Sequence, residues 1–93
     1  MRFEWDSAKD KENTRKHGIS FLTATQAFSD PFSITIEDRV VETEQRLWTI
    51  GRLQNQSVVV IVHTDVFKEE EIVRIVSARR ATPRERRAYE NLI

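Results

Sequence analysis

Val58-Val59-Val60-Ile61-Val62 sets five β-branched residues in a row, and this run constrains the fold more than any other segment. β-Branched side chains are stiff at χ1 and suit a pleated surface. A strand that is apolar at consecutive positions, rather than at alternate ones, is covered on both faces or nearly so. The run therefore predicts the central strand of a sheet, extending over Ser57–Val66. Arg46–Leu53 precedes it across Gln54-Asn55-Gln56, a sequence suited to a tight turn, so the two should pair as an antiparallel hairpin. Phe32–Glu37 and Glu71–Ser77 are two further strands, the last after the acidic turn Lys68-Glu69-Glu70-Glu71.

Phe3 and Trp5 alternate with charged residues, as in a short half-buried strand. Asp6 then caps a helix to about His17, and Gly18 supplies its left-handed stop. That helix has almost no apolar stripe beyond Ala8, so it should lie on the surface or present a binding face. Ser20 caps a second helix over about 21–29, with Phe21, Ala24, Thr25 and Phe28 as its inward stripe, and Asp30-Pro31 ends it. Thr82-Pro83-Arg84-Glu85 is a capping box with Pro at the first helical position. The helix it starts, to about Leu92, carries only Ala81, Ala88 and Leu92 as apolar contacts and should dock weakly. The order β-α-α-β-β-β-β-α gives an α+β fold: a small antiparallel sheet with two N-terminal helices and one C-terminal helix, in a single domain over 1–93.

The chain has no cysteine, which excludes disulfides, thiolate metal sites and cysteine nucleophiles. No apolar run is long enough to cross a membrane, and the N-terminus lacks the apolar core of a signal peptide, so cytoplasmic residence is expected. No phosphate loop or His-x-x-x-His pair is present. A metal would need an acidic cluster such as Glu4, Asp6 and Asp10, and carboxylates at strands and caps are common; we expect no metal and no cofactor. Fifteen basic and fifteen acidic residues cancel, but they are segregated. Residues 30–45 hold five acids and one Arg, and residues 74–93 hold six Arg and two acids. The two segments could simply pack together, or the basic one could hold a few phosphates.

The basic segment is rich in arginine, whose planar fork suits phosphate and carboxylate. Arg74 is expected on the opposite side of its strand from Val73, Ile75 and Ser77. Arg79 and Arg80 leave the strand at the corner on opposite sides, while Arg80, Arg84 and Arg87 approximate a helical row that could equally be a solvated flank. Arg46 opens its strand. Tyr89 could hydrogen-bond Glu85, stack on a base or cover the core. His17, beside Lys16 at a helix end, is either a cation favoured by the macrodipole or a phosphate-facing proton carrier. His63 lies with Val59 and Ile61 on one strand face, where a hydrogen-bonded core histidine is the ordinary role and a catalyst the other.

Together these residues resemble the BrnT family of type II toxin–antitoxin toxins. The motifs are Phe3-Glu4-Trp5-Asp6, Lys9, Asn13, Lys16-His17-Gly18 and Ser20-Phe21, then Ala27-Phe28, Asp30-Pro31, Arg46, Ile50-Gly51 and Val62-His63-Thr64. Arg74 through Ala81, Thr82, Glu85-Arg86 and Tyr89 complete them. The resemblance covers nearly the whole chain and implies a RelE-like fold and a ribonuclease toxin. It also implies a BrnA-like antitoxin with a ribbon-helix-helix DNA-binding domain, a toxin–antitoxin heterotetramer, and operator DNA bound only through the antitoxin. Metal-free RNA cleavage needs a proton acceptor for the 2′-hydroxyl, protection of the leaving oxygen and cations around the phosphate. The candidates are Arg74 and Arg79 as clamps, His63 or His17 as proton carriers and Tyr89 as donor or stacking ring. Lys16, Arg46, Arg80, Arg84 and Arg87 are candidate RNA contacts. The alternative is a non-catalytic binding module whose Arg-rich corner docks an acidic partner; direct DNA binding is weaker, since no helix-turn-helix is evident.

Overall fold

The computed structural model describes residues 1–92. Strand β1 (Arg2–Glu4) leads into helix α1 (Ser7–His17) and a short helix α2 (Phe21–Ala24), which tightens into a 3₁₀ turn over Thr25–Ser29. Strands β2 (Ile34–Val41), β3 (Glu44–Arg52), β4 (Val58–Phe67) and β5 (Glu71–Arg80) follow, then helix α3 (Pro83–Asn91). The sheet order is β1-β5-β4-β3-β2, so the β-branched run is central. β1 runs parallel to β5; the other neighbours are antiparallel, which makes the sheet mixed.

α1, α2 and the 3₁₀ turn cover one face. Val59 and Ile61 of β4 meet Val73, Ile75 and Ala78 of β5 there, under Ile19, Phe21, Ala24 and Ala27. Each such Val, Ile or Phe contributes about 1.5–3 kcal/mol relative to an exposed position. Gly51 admits the 3₁₀ turn, because a Cβ at that position would stand 2.6 Å from the Ala27 carbonyl oxygen. Val58 and Val60, on the opposite face, are buried as well, as the unbroken run requires.

α1 is held by polar contacts rather than an apolar stripe. β1 pairs with β5 only over Ile72–Arg74, which leaves the outer edge of β5 unpaired at Ala78. Asn13, the one buried residue of α1, fills that gap. Its Nδ2 donates to the Ala78 carbonyl at 2.8 Å and its Oδ1 accepts from the Ala78 N–H at 3.1 Å, imitating a neighbouring strand. Gly18, at φ 70°, ends the helix as its left-handed position demands.

Besides the parallel β1 and the 3₁₀ turn that ends the second helix, two strands run past the ends expected from the sequence. β2 continues through the acidic stretch to Val41 and turns into β3 at Glu42-Thr43, both with positive φ (49° and 69°). This is a two-residue hairpin built without the Asn or Gly that usually signals one. β5 likewise runs on to Arg80 instead of ending at Ser77.

Candidate nucleic-acid interface

The register places Trp48, Val62 and Ser77 in one row across β3, β4 and β5, on the face away from α1 and α2. Arg46 shares this face by alternation along β3. A bulge between Val62 and His63 shifts the β4–β5 register by one residue. Val73, Ile75 and Ala78 thereby all face the core. Ser77, expected on the side of Val73 and Ile75, joins Arg74 and Arg79 on the open side instead. The extra residue accounts for the change, because one inserted position inverts the alternation beyond it.

A cavity of about 350 Å³ opens on this face, lined by Asp38 and Arg39 of β2, Arg46 and Trp48 of β3, Val62 of β4 and Ser77 of β5. The Arg46 Nε is buried there with no hydrogen-bond partner. The Trp48 Nε1 donates to Asp38 Oδ2 at 3.1 Å, and the Arg79 guanidinium lies 5.5 Å from the Trp48 ring centroid. A second cleft of about 220 Å³ adjoins, lined by Lys16, His17 and other α1 residues together with Val76 and Ser77. Val76 and Ser77 belong to both hollows. The end of α1 thus brings a lysine and a histidine to the rim of the arginine-bearing face.

Arg79 is gripped by Glu85 through two parallel contacts, at 2.7 and 2.9 Å. The guanidinium pulls the Glu85 carboxyl down to about 2, and Glu85 in turn keeps Arg79 charged. Glu85 also accepts from the Thr82 N–H, completing the capping box. Arg74 pairs with Glu4 at 3.4 Å on the exposed surface, a weak contact in water. Arg80 is exposed and projects to the side opposite Arg79, and Arg84 and Arg87 are exposed on α3.

His63 and Tyr89 do not reach this surface. His63, 1% exposed, lies on the core face under Phe28, whose ring packs edge-on at 5.1 Å. Its Nδ1 contacts Asp65 Oδ1 at 2.8 Å and its Nε2 contacts Thr49 Oγ1 at 2.7 Å, with Thr35 beyond. A carboxylate accepts only, so Nδ1 donates to Asp65, and Nε2 pairs with the Thr49 hydroxyl, which leaves both ring nitrogens satisfied. Burial lowers its basicity despite Asp65. Tyr89, also 1% exposed, donates its hydroxyl to Asp30, under the guanidinium of Arg52 at 5.6 Å. Asp30 also accepts from the Arg52 N–H at 2.8 Å. Burial opposes its charge, but these donors prevail and hold its carboxyl below the usual range. The thin apolar stripe of α3 is thus supplemented by a buried tyrosine and ion pairs, and among the described residues Asp30–Tyr89 is the hydrogen bond that joins the acidic stretch to the C-terminal segment.

A family model described as "Ribonuclease toxin, BrnT, of type II toxin-antitoxin system" matches residues 5–85. The chain belongs to the BrnT family. As a BrnT protein it is a ribonuclease toxin of a type II toxin–antitoxin pair. Comparison with curated proteins gives no match. Among solved structures, the crystal structure of the Brucella abortus ribonuclease toxin BrnT aligns with a TM-score of 0.62. The identity is 21%, over 88% of this chain and 97% of that one. This likeness shows the fold: the α+β arrangement of helices and five-stranded sheet is the BrnT fold.

Four polar or aromatic residues of the cavity were not offered as site residues from the sequence of this BrnT chain: Asp38, Arg39, Trp48 and Ser77. Trp48 carried a usable signal, an aromatic two positions from Arg46 on the same strand face. Asp38 was hidden by the acidic stretch around it, and Ser77 by the bulge. Among the described residues no cluster of three or more metal-binding side chains occurs, and no helix is long and apolar enough to cross a membrane.

Proposed function

We propose that this toxin cleaves RNA without a metal, by attack of a 2′-hydroxyl on the adjacent phosphate, on the open sheet face between Arg46, Arg79 and the end of α1. The observation that carries the reading is Arg46, its buried Nε without a partner, in one hollow with Trp48, over whose ring Arg79 lies, with His17 and Lys16 opening onto the same Ser77. Arg79 holds the phosphate and stabilises the charge that grows on it in the transition state, and Arg46 binds the RNA in the hollow beside it. His17 takes the 2′-hydroxyl proton, imidazole being the side chain most often used as a general base. Lys16 beside it stabilises the departing 5′-oxygen. Arg74 meets a flanking phosphate, and Arg80, Arg84 and Arg87 add diffuse attraction for the backbone. His63 and Tyr89 are structural in this assignment.

The partner is a BrnA-like antitoxin with a ribbon-helix-helix domain, in a cytoplasmic heterotetramer that reaches operator DNA through the antitoxin alone. The toxin acts as one domain over 1–93. Glu85 favours a second use of the same corner: a carboxylate already sits on Arg79 with two-point geometry. An acidic antitoxin segment placed there would exclude RNA by the same contacts.

The test is induced expression of the chain alone, beside an Arg79→Ala control, with growth and total RNA followed. Growth arrest with RNA decay that the control abolishes supports the assignment. Decay at the parent rate in the control removes Arg79 from it, and loss of cleavage by the purified toxin in excess chelator removes the metal-free step.

A further inference from the structure

The 350 Å³ cavity differs from a plain phosphate patch in its chemistry. Its floor and wall are apolar or aromatic, from Trp48, Val62 and Val76. Its rim carries two arginines, Arg39 and Arg46, and one anion, Asp38. Arg46 has a buried Nε without a partner. Asp38 gives Oδ2 to the Trp48 indole at 3.1 Å, while among the described residues no hydrogen bond engages its Oδ1. A phosphate has no use for Asp38, whose charge repels it. A flat group with donors along one edge and acceptors along another would satisfy both.

Resting on the ribonuclease reading, we propose that this cavity is a nucleobase pocket selective for guanine, set beside the phosphate that is cut. Guanine presents N1–H and N2–H₂ donors toward a carboxylate and O6 and N7 acceptors toward an arginine fork. Single-stranded RNA is recognised in this way, by unstacked bases packed against aromatic side chains and hydrogen-bonded along their edges. Adenine turns the N1 lone pair toward Asp38, and uracil and cytosine offer the carboxylate one donor group where guanine offers two. Arg79 lies over the Trp48 ring, which places a phosphate-binding cation next to the base. The pocket therefore links the choice of base to the position of the cut. Asp38 stands at the β2–β3 register shift between Glu37 and Val40, and the hairpin bulge presents it to the cavity.

Calorimetric titration of the purified toxin with guanosine, adenosine, uridine and cytidine 3′-monophosphates tests this. Guanosine 3′-monophosphate should bind on the order of tenfold more tightly than the other three. Asp38→Asn keeps an oxygen for the Trp48 indole but loses the charge and one acceptor, and should remove that preference. Equal binding of all four, or a preference unchanged in Asp38→Asn, overturns the pocket. Mapping of cut sites separates this from the mechanism. Guanine-selective binding by a chain that leaves RNA intact sinks the cleavage mechanism and keeps the pocket. Cuts without base bias, unchanged in Asp38→Asn, keep the cleavage and sink the pocket.

Discussion

Arg79 and Glu85 face each other in a two-point ion pair that joins β5 to the first turn of α3. The pair holds the guanidinium 5.5 Å from the Trp48 ring centroid, with Nη1 also donating to the Arg80 carbonyl at 3.2 Å. Arg79→Ala should reduce RNA cleavage on the order of 10²–10³-fold, as for loss of one transition-state donor. Arg87→Ala, on the exposed flank of α3, should cost little and only at low salt, where its charge is weakly screened. Cleavage of a labelled oligoribonucleotide by both purified variants checks this; equal losses would mean that Arg79 supplies only general charge.

The two histidines should separate cleanly. His17→Ala should reduce cleavage on the order of 10²–10⁴-fold, as for loss of a general base, with little change in unfolding. His63 should act on stability instead. Its buried ring has a folded pKa below the ordinary 6.5, so the unfolded chain binds more protons between those values. Stability is then full above about 6.5 and falls as the pH drops toward the folded value. Urea unfolding at pH 7.5 and 5.5 should show this loss, and His63→Gln should flatten it while lowering stability throughout.

Tyr89→Phe removes the hydroxyl that Asp30 accepts while keeping the buried ring. The loss should be about 1.5–3 kcal/mol, the range for a hydrogen bond to a charged group. Cleavage by the folded variant should stay at the parent rate. A large fall in rate with unchanged stability would return Tyr89 to the reaction.

Asn13 imitates a strand for Ala78, so its substitutions should rank by donor and acceptor count. Asn13→Ala leaves the Ala78 N–H and carbonyl unmet, at a cost of about 1–3 kcal/mol. Asn13→Asp should cost at least as much, because its acceptor faces the Ala78 carbonyl oxygen. Chemical denaturation ranks them, and a neutral Asn13→Asp would contradict the strand-mimic role.

Glu42-Thr43 holds a left-handed turn with two residues that dislike it. Each such residue costs on the order of 1–2 kcal/mol relative to one suited to the conformation. Glu42→Asn with Thr43→Gly should therefore raise the unfolding free energy by about 1 kcal/mol or more, measured by urea titration. No gain would mean that the turn is relaxed by contacts of its own side chains.

Local chemistry determined much of this protein. The β-branched run fixed the central strand, since a strand apolar at every position has to be covered on both sides. Asp6, Ser20 and Thr82 fixed the three helix starts through their side-chain oxygens, and Gly18 the left-handed stop. Arginine content pointed to the basic corner. What depended on partners distant in the chain was not legible. The Glu42-Thr43 turn lacks the usual residues and exists because β2 and β3 pair. The bulge near Val62 moved Ser77 to the face of Arg79, a one-residue shift that alternation alone misassigns. Asn13 looked like one more polar residue on a polar helix until the free edge of β5 gave it a strand's role. His63 and Tyr89 carry groups capable of proton transfer, and only the packing of Phe28, Asp65 and Asp30 around them decided that both are enclosed. Propensity and caps act within a few residues and can be read from them. The faces of a sheet, and the groups that meet across it, are set by register and burial, which exist only once the chain has closed on itself.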